Sequence, residues 1–142
     1  MSFKDRDFNH RFAAMGDQAE AKFEEVCDRG FVRTGLNRPP ISMRMLPPFV
    51  RYMPDYLTSK CYVEVQGFGR DQQFKMKIDK LDALLEYHSY FPVEVFIYDS
   101  HNDRHIQLSI AEVEARCDEG TIGMFPEGKK YWSVPAELIF DA

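Results

Sequence analysis

The sequence predicts an α/β domain in which a central mixed β-sheet is flanked by helices. Helical and strand-type patterns alternate along the chain, and no internal repeat or low-complexity segment interrupts them. Of the 142 residues, 44% are hydrophobic and 14% are aromatic, which is enough for a core of one domain. We therefore expect a single domain over 1–142. Its core would span about 15–110, a proline- and arginine-rich arm 35–54, and a C-terminal extension 111–142.

The first half of the chain predicts a helix, an arm and strands. Residues 15–29 carry an apolar stripe at helical spacing, and 31–32 then start a short strand or turn. Five of the eight prolines fall within 35–54, which favours an extended arm with one edge strand around 42–46. Apolar and polar residues alternate within 57–67, which predicts a strand.

The second half predicts a helix, a hairpin and a tail. Residues 72–87 place four apolar side chains on one helical face, namely Phe74, Ile78, Leu81 and Leu85. Two apolar runs separated by a turn predict a β-hairpin over 93–110. Residues 111–120 predict a short acidic helix, and 130–140 a late strand or extended segment.

The charge is unevenly distributed. The net charge of −5 disfavours a protein that coats nucleic acid through an overall basic surface. Within 30–60, however, five basic residues accompany one acidic residue, which indicates a polyanionic partner or simply a solvated loop that uses arginine. Arg38, Arg44 and Arg51 are the candidate phosphate contacts.

Cysteine usage and the N-terminal sequence indicate a cytoplasmic protein. The three cysteines have no C-x-x-C spacing, so they predict reduced thiols, with neither a disulfide framework nor a zinc site. Residues 1–12 are charged and lack the apolar region of a secretory signal. No window contains the roughly 18 apolar residues that a membrane helix needs.

Two carboxylates and a glutamine are conspicuous in the stretch MPDYLTSKCYVEVQ, residues 53–66. Glu64 and Gln66 are two apart in a predicted strand and therefore lie on one face. Asp55 precedes them, and a turn between Asp55 and Glu64 would bring the two carboxylates together. Carboxylates held close repel one another unless a cation neutralises them. Mg²⁺ is typically bound by one or two carboxylates together with waters and phosphate oxygens.

Pro54-Asp55, eight residues, then Glu64-Val65-Gln66 resembles the motif of the PD-(D/E)XK nuclease superfamily, with Gln in place of the usual Lys. The resemblance covers about 15–98 and implies a restriction-endonuclease-like core with the order α-β-β-β-α-β. The segment GDQAEAKFEEVCDRGF also resembles the first helix of Holliday-junction resolvase-type members, with Glu20 at the position of their glutamate.

The resemblance implies a DNA endonuclease of bacterial or phage type that hydrolyses phosphodiester bonds with Mg²⁺ or Mn²⁺. It also implies selectivity for branched or flapped DNA and a homodimer, since both strands of a junction must be cut. Asp55 and Glu64 would bind the metal together with the Val65 carbonyl, and Glu20 would complete or bridge the site. Gln66 would orient the attacking water.

Helix geometry adds a second argument for Glu20. At 100° per residue, Glu20 is the glutamate nearest the apolar stripe of the first predicted helix, where a site residue would lie if that helix packs on the sheet. Asp17 and Glu20 also fit a capping box, in which Glu20 would serve only the start of the helix. Both roles remain open for Glu20.

The second predicted helix is the expected source of the cation that Gln66 does not supply. Measured from the centre of the apolar stripe, Lys77 lies at about 70°, Lys75 at about 90° and Lys80 at about 130°. We therefore expect Lys77 to act with the carboxylates, and Lys75 is the next candidate.

Two other functions remain open. The acidic balance and Gln66 also fit a catalytically inactive protein of the same fold that binds DNA or another protein. In the other alternative, the chain is a small α/β structural protein unrelated to nucleases. Asp55 would then begin a turn and Glu64 would face solvent.

Overall fold

The computed structural model of the protein describes residues 16–35 and 45–141, and it confirms the α/β class with a mixed sheet and packed helices. Residues 16–26 form helix α1. The later helices are α2 Pro48–Arg51, α3 Ile78–His88, α4 Ile110–Asp118 and α5 Ala136–Phe140. The strands are β1 Phe31–Arg33, β2 Tyr56–Thr58, β3 Tyr62–Gly67, β4 Gln73–Lys77, β5 Val93–Asp99, β6 Arg104–Ser109, β7 Thr121–Met124 and β8 Lys130–Pro135. No helix in the described ranges is long and apolar enough to cross a membrane.

The larger sheet, here called the main sheet, has the strand order β1-β2-β3-β5-β6. Neighbouring strands of this sheet are antiparallel, except for β3 and β5, which are parallel. Their pairing runs from Tyr62 opposite Val93 to Gly67 opposite Tyr98. A parallel pair needs a crossover connection, and β4 with α3 provides it. This crossover places α3 next to the polar residues of β3.

The second sheet, here called the small sheet, has the antiparallel order β4-β8-β7. Strand β4 belongs to the crossover, whereas β7 and β8 come from the segment predicted as an extension. Lys75 lies opposite Ser133 and Lys77 opposite Tyr131 in this pairing. The C-terminal segment is therefore part of a sheet that includes residues from the predicted core.

The two faces of the main sheet are buried by different elements. On one face, Phe23 of α1 packs with Tyr56, Val63 and Phe96. The other face packs against α3, α4 and the small sheet in a larger apolar cluster, which Tyr62 borders. Side chains alternate along β3, so Glu64 and Gln66 share the face of Tyr62, as the sequence predicts. The structure shows that this face is turned toward α3.

The hairpin and the short acidic helix were predicted correctly. Strands β5 and β6 pair antiparallel from Glu94 opposite Ser109 to Asp99 opposite Arg104. Helix α4 follows, and its cap is the Ser109 side chain, which accepts a hydrogen bond from the Ala111 N–H. The predicted late strand is β8, which gives way to α5 after Pro135.

The helix predicted over 72–87 is wrong in its first third, where β4 lies. Phe74 and Met76 are fully buried, whereas the intervening Lys75 is half-buried, which is the period of a strand. The apolar stripe was misread because Phe74 happens to fall four residues before Ile78. The start of α3 at Ile78 changes which lysine faces the main sheet.

The first helix also differs from its prediction. Its helical conformation ends at residue 26 instead of about 29, and Asp17 lies within the helix. An N-cap residue lies outside the helical turn, so the capping box with Glu20 does not form. The edge strand predicted around 42–46 falls mostly on residues outside the described ranges.

Candidate active site

Asp55 lies immediately before β2, where the edge of β3 loses its strand partner. Strands β2 and β3 pair at Tyr56 opposite Val63 and at Leu57 opposite Tyr62. Further along β3, the Val65 N–H donates to Asp55 Oδ2 at 2.9 Å. The Asp55 carboxylate thus takes the place of a strand carbonyl, and it is held at the edge of β3 beside Glu64.

The segment after β1 fixes Asp55 from the other side. The N–H groups of Thr34 and Gly35 donate to the Asp55 carbonyl oxygen at 2.9 and 3.2 Å. A Cβ at Gly35 would come within 3.0 Å of Asp55 Cα and 3.1 Å of its Oδ1. Any side chain at this position would push against the carboxylate, so Gly35 preserves the position of Asp55.

Glu64 is a buried carboxylate with a lysine partner from α3. Its side chain is 5% exposed, and Lys80 Nζ lies 3.3 Å from Glu64 Oε2. Lys80 belongs to the first turn of α3, which follows β4 directly. The crossover connection therefore delivers a cation to the polar face of β3.

Burial and a second carboxylate shift the pKa of Glu64. Burial raises this pKa well above its ordinary value, and repulsion from Asp55 raises it further, whereas Lys80 opposes both. Burial alone would lower the pKa of Lys80, but attraction to Glu64 and Asp55 outweighs burial and raises it. Lys80 is therefore an ammonium at neutral pH. Two ionised carboxylates beside one ammonium leave an excess negative charge, which favours uptake of a proton or a cation.

Gln66 makes a contact between the two sheets. Its side-chain amide nitrogen donates a hydrogen bond to the backbone carbonyl of Lys75 in β4. This bond uses one of the two amide N–H groups, so the second N–H and the side-chain carbonyl oxygen are the groups that could orient a water. The role of Gln66 in positioning water stays a prediction.

Lys77 and Lys75 do not occupy the position beside the carboxylates, so this placement was predicted wrongly. Both side chains lie on the outward face of β4. Lys77 Nζ lies 3.9 Å from a Glu127 carboxylate oxygen, and Lys75 Nζ lies 2.8 Å from Asp71. The helical geometry used for Lys77 does not apply, because this residue ends a strand and precedes the first residue of α3.

Lys80 takes the position that the sequence assigned to Lys77. The buried residues of α3 are Leu81, Ala83, Leu84 and Tyr87. On a helix that begins at Ile78, Lys80 lies within roughly 20° of the centre of this buried side. The alternation in QFKMK is compatible with a strand over 73–77, which would delay the helix to Ile78, but five residues do not distinguish this strand from a helix.

Glu20 lies near Asp55 but on the other side of the main sheet from α3. Arg33 forms an ion pair with it, with Nη1 to Oε2 at 3.3 Å. Burial raises the pKa of Glu20, the charge of Asp55 raises it further, and Arg33 lowers it. Helix α1 packs on the face opposite Glu64, so the two glutamates approach Asp55 from opposite faces of the sheet.

The residues around Asp55 fit a divalent cation in part. Within 16–35 and 45–141, no group of three or more His, Cys, Asp or Glu side chains could hold a metal ion. Asp55 and Glu64 offer two carboxylates, and the Val65 carbonyl points to the same side of β3 as its N–H, which meets Asp55. These hard oxygen donors suit Mg²⁺, which keeps several waters. Glu20 as a third ligand stays a prediction.

The predicted phosphate contacts are described only at Arg51, because Arg38 and Arg44 lie outside the described residues. Arg51 ends α2, and its Nη2 donates to the Leu46 carbonyl at 2.9 Å. Its guanidinium carbon lies 5.7 Å from the centre of the Tyr52 ring. Phosphate binding by Arg51 stays a prediction.

A cavity of about 520 Å³ lies away from the carboxylates, on the α1 side of β5 and β6. Phe23, Cys27, Cys61 and His105 are among its lining residues, and none of Asp55, Glu64 or Lys80 lines it. The candidate site is therefore an edge of the main sheet, distinct from this cavity. Comparison of the chain with protein-family models, curated proteins and solved structures gives no match.

Proposed function

We propose that the protein is a metal-dependent DNA endonuclease that hydrolyses phosphodiester bonds at Asp55 and Glu64. The observation that carries the proposal is the 3.3 Å contact between Lys80 Nζ and Glu64 Oε2. The usual motif has a lysine two residues after the glutamate, where this chain has Gln66. Lys80 brings a cation to the same glutamate from α3, so the substitution at Gln66 does not remove positive charge from the site.

The topology supports a restriction-endonuclease-like core. The chain passes through α1, β1, β2 and β3, then through α3 and β5, which is the order α-β-β-β-α-β with α2 inserted between β1 and β2 and β4 inserted before α3. The carboxylates lie where such an order brings them together, Asp55 before β2 and Glu64 within β3. Selectivity for branched or flapped DNA and a homodimer are supported by the resemblance of the α1 segment to resolvases.

A metal would be held by Asp55, Glu64 and the Val65 carbonyl. When bound there, Mg²⁺ or Mn²⁺ would activate water and stabilise charge on a phosphate under attack. The chain fixes two of the donors before any metal arrives. The Val65 N–H orients the Asp55 carboxylate, and Lys80 orients that of Glu64.

The protonation state of Lys80 restricts its role. Its raised pKa keeps it an ammonium at neutral pH, so it is not a general base for the attacking water. An ammonium held in a partly buried position stabilises negative charge that develops on the phosphate. We therefore assign Lys80 to charge stabilisation.

Cleavage assays test this function. Purified protein is incubated with plasmid, single-stranded, flapped and four-way-junction DNA, in Mg²⁺, Mn²⁺ or EDTA. We expect metal-dependent cutting that is lost in Asp55→Asn and in Glu64→Gln. Asp82→Asn is the matched control, because Asp82 is an exposed carboxylate on α3, and it should cut like the wild type. Cutting that survives in both site variants contradicts the proposal, and DNA binding without cutting supports the inactive alternative.

Thermal unfolding gives a readout that does not depend on activity. A ligand that binds only the folded state stabilises it by about 2.7 kcal/mol at a concentration of 100 times Kd. We expect Mg²⁺ or Mn²⁺ to raise the Tm of the wild type and of Asp82→Asn in a saturable way. Asp55→Asn should show little increase, and an equal increase in all three proteins would place the metal elsewhere.

A further inference from the structure

The outward face of the small sheet carries lysines and aromatic rings side by side. Lys75 and Lys77 are two apart on β4, so both point away from the core side on which Phe74 is buried. Tyr131 of β8 lies opposite Lys77 on one side and opposite Gly123 of β7 on the other. Residues paired in this way share a face of the sheet.

Two of these rings form a platform, here called the Tyr131–Phe125 platform. A Cβ at Gly123 would come within 2.5 Å of Tyr131 Cζ, which shows that the Tyr131 ring lies directly over the glycine. The ring centres of Phe125 and Tyr131 are 4.2 Å apart with a tilt of 37°. Both residues are partly exposed, so a ring surface remains open to solvent.

The lysines border this platform. Lys75 Nζ lies 5.8 Å from the centre of the Tyr131 ring, and Lys77 Nζ lies 5.5 Å from that of Phe125. Asp71 and Glu127 pair with them, but the four charged side chains are 35% to 48% exposed. Exposed ion pairs of this kind contribute little, so a phosphate can replace the carboxylate at small cost.

The platform is connected to the candidate active site through the backbone. Gln66, two residues beyond Glu64 on β3, donates to the Lys75 carbonyl. Lys80, which meets Glu64, follows Lys77 by three residues. Strand β4, which carries Lys75 and Lys77, is therefore bonded to β3 through Gln66 and continues directly into the helix turn that carries Lys80.

We propose that this face binds an unpaired strand of nucleic acid leading into the active site. The ammonium groups of Lys75 and Lys77 contact backbone phosphates, and a base stacks on the Tyr131–Phe125 platform. An unpaired strand fits better than a duplex, because the bases of a duplex are stacked on each other and are not free to stack on a protein ring. The assignment of this strand to the cleaved substrate rests on the proposed function, whereas the binding does not require cleavage.

Fluorescence anisotropy with a labelled oligothymidylate tests the proposal, in EDTA so that binding is measured without cleavage. In the double variant Lys75→Gln and Lys77→Gln, we expect weaker binding. The slope of log K against log [salt] should also be smaller in magnitude by about 1.4, because each of two lost phosphate contacts on a single strand contributes about 0.7. In Tyr131→Leu, we expect binding about tenfold weaker with an unchanged salt dependence. These two signatures separate charge from stacking.

Two controls match these changes. Lys60→Gln removes an exposed lysine of the β2–β3 turn, and Tyr90→Leu removes a ring that is 77% exposed after α3. Both should bind the strand like the wild type. If Tyr131→Leu fails to fold by circular dichroism, Phe125→Leu is measured in its place with the same expectation.

Specific results overturn the inference. The first is an unchanged affinity and salt dependence in the lysine double variant, and the second is an unchanged affinity in the platform variant. Strand binding that is lost in these variants, with no cutting of any DNA in metal, supports this inference and contradicts the endonuclease. Metal-dependent cutting with unaltered strand binding in both variants contradicts this inference and leaves the endonuclease standing.

Discussion

Glu64 in β3 and Asp99 in β5 are buried carboxylates of the main sheet, 4% and 0% exposed. Each has a cationic partner, Lys80 at 3.3 Å from Glu64 and Arg104 at 3.0 Å from Asp99. Burial is the largest influence on both and raises both pKa values. Even so, the pKa of Asp99 ends below its ordinary value, whereas that of Glu64 ends well above it.

The neighbours of the two carboxylates explain the difference. Asp99 accepts hydrogen bonds from Gln72, His101, Asn102 and Arg104 at 2.8 to 3.2 Å. These donors favour its charged form and outweigh burial. Glu64 has Lys80 on one side but a second carboxylate, Asp55, on the other. A buried carboxylate surrounded by donors holds a fold together, whereas one left beside another anion remains ready to bind a cation.

The largest expected effect is on the cleavage rate, and it distinguishes Lys80 from Arg104. Replacing Lys80 with Met should lower the cleavage rate by about 10² to 10³, which is typical for the loss of one charge-stabilising group. Arg104→Met removes the partner of Asp99, so it should lower stability while the folded protein keeps its rate. The measurement is the single-turnover rate on the DNA that the wild type cuts best. A normal rate for Lys80→Met would mean that this lysine does not compensate for Gln66.

The free energy of unfolding should depend more strongly on Asp99 than on Glu64, the reverse of the expectation for the cleavage rate. Asp99→Ala leaves Arg104 and several donors without their acceptor and should cost roughly 3 kcal/mol of unfolding free energy. Glu64→Gln removes a charge that burial and Asp55 disfavour, so its cost should stay below about 1 kcal/mol. Urea unfolding of the two variants beside the wild type measures both values. Equal losses would remove the distinction between a structural and a functional carboxylate.

The smallest effects appear in the pH dependence, and their signs differ. In the unfolded chain, Glu64 ionises as pH rises through its ordinary pKa of 4.5, whereas in the folded protein its raised pKa delays ionisation to higher pH. The wild type should therefore lose stability relative to Glu64→Gln as pH rises, by at most about 1.4 kcal/mol per pH unit. Stability due to Asp99 is complete above its ordinary value of 3.8 and is lost as pH falls through its lowered folded pKa.

Urea titrations from pH 3 to 8 of the wild type, Glu64→Gln and Asp99→Asn check both signs. The advantage of the wild type over Asp99→Asn should shrink only at the acid end. A wild type that gains stability over Glu64→Gln as pH rises would show that Lys80 dominates the environment of Glu64, which contradicts the raised pKa.

Strand periodicity is strict, so the sequence predicted the shared face of Glu64 and Gln66. Residues 57–67 are divided between β2 and β3, but within β3 Glu64 and Gln66 must share a face, and the structure places both toward α3. Around the axis of the first helix, Glu20 lies at a small angle from the apolar stripe. This angle predicted that Glu20 faces the sheet, where the structure finds it near Asp55. These predictions depend on local geometry, which a sequence contains.

Lys80 could not be placed because its position depends on a distant pairing. The stretch QFKMK fits a helix and a strand about equally well over so few residues. Its strand conformation is fixed by β8, which lies far along the chain, and no local preference reveals that partner. The hydrogen bond of Gln66 to Lys75 is hidden for the same reason.

The pairing of β4 with β8 has a consequence for how the protein is made. The Ser133 hydroxyl donates to the Gln73 side-chain oxygen across 60 residues of chain. Strand β4 therefore has no sheet partner until the ribosome has released β8. Because Lys80 follows β4 directly, its ammonium is anchored beside Glu64 late, long after both carboxylates have been synthesised. Under the proposed function, a nascent chain in which β8 has not yet emerged would hold both carboxylates without their cation.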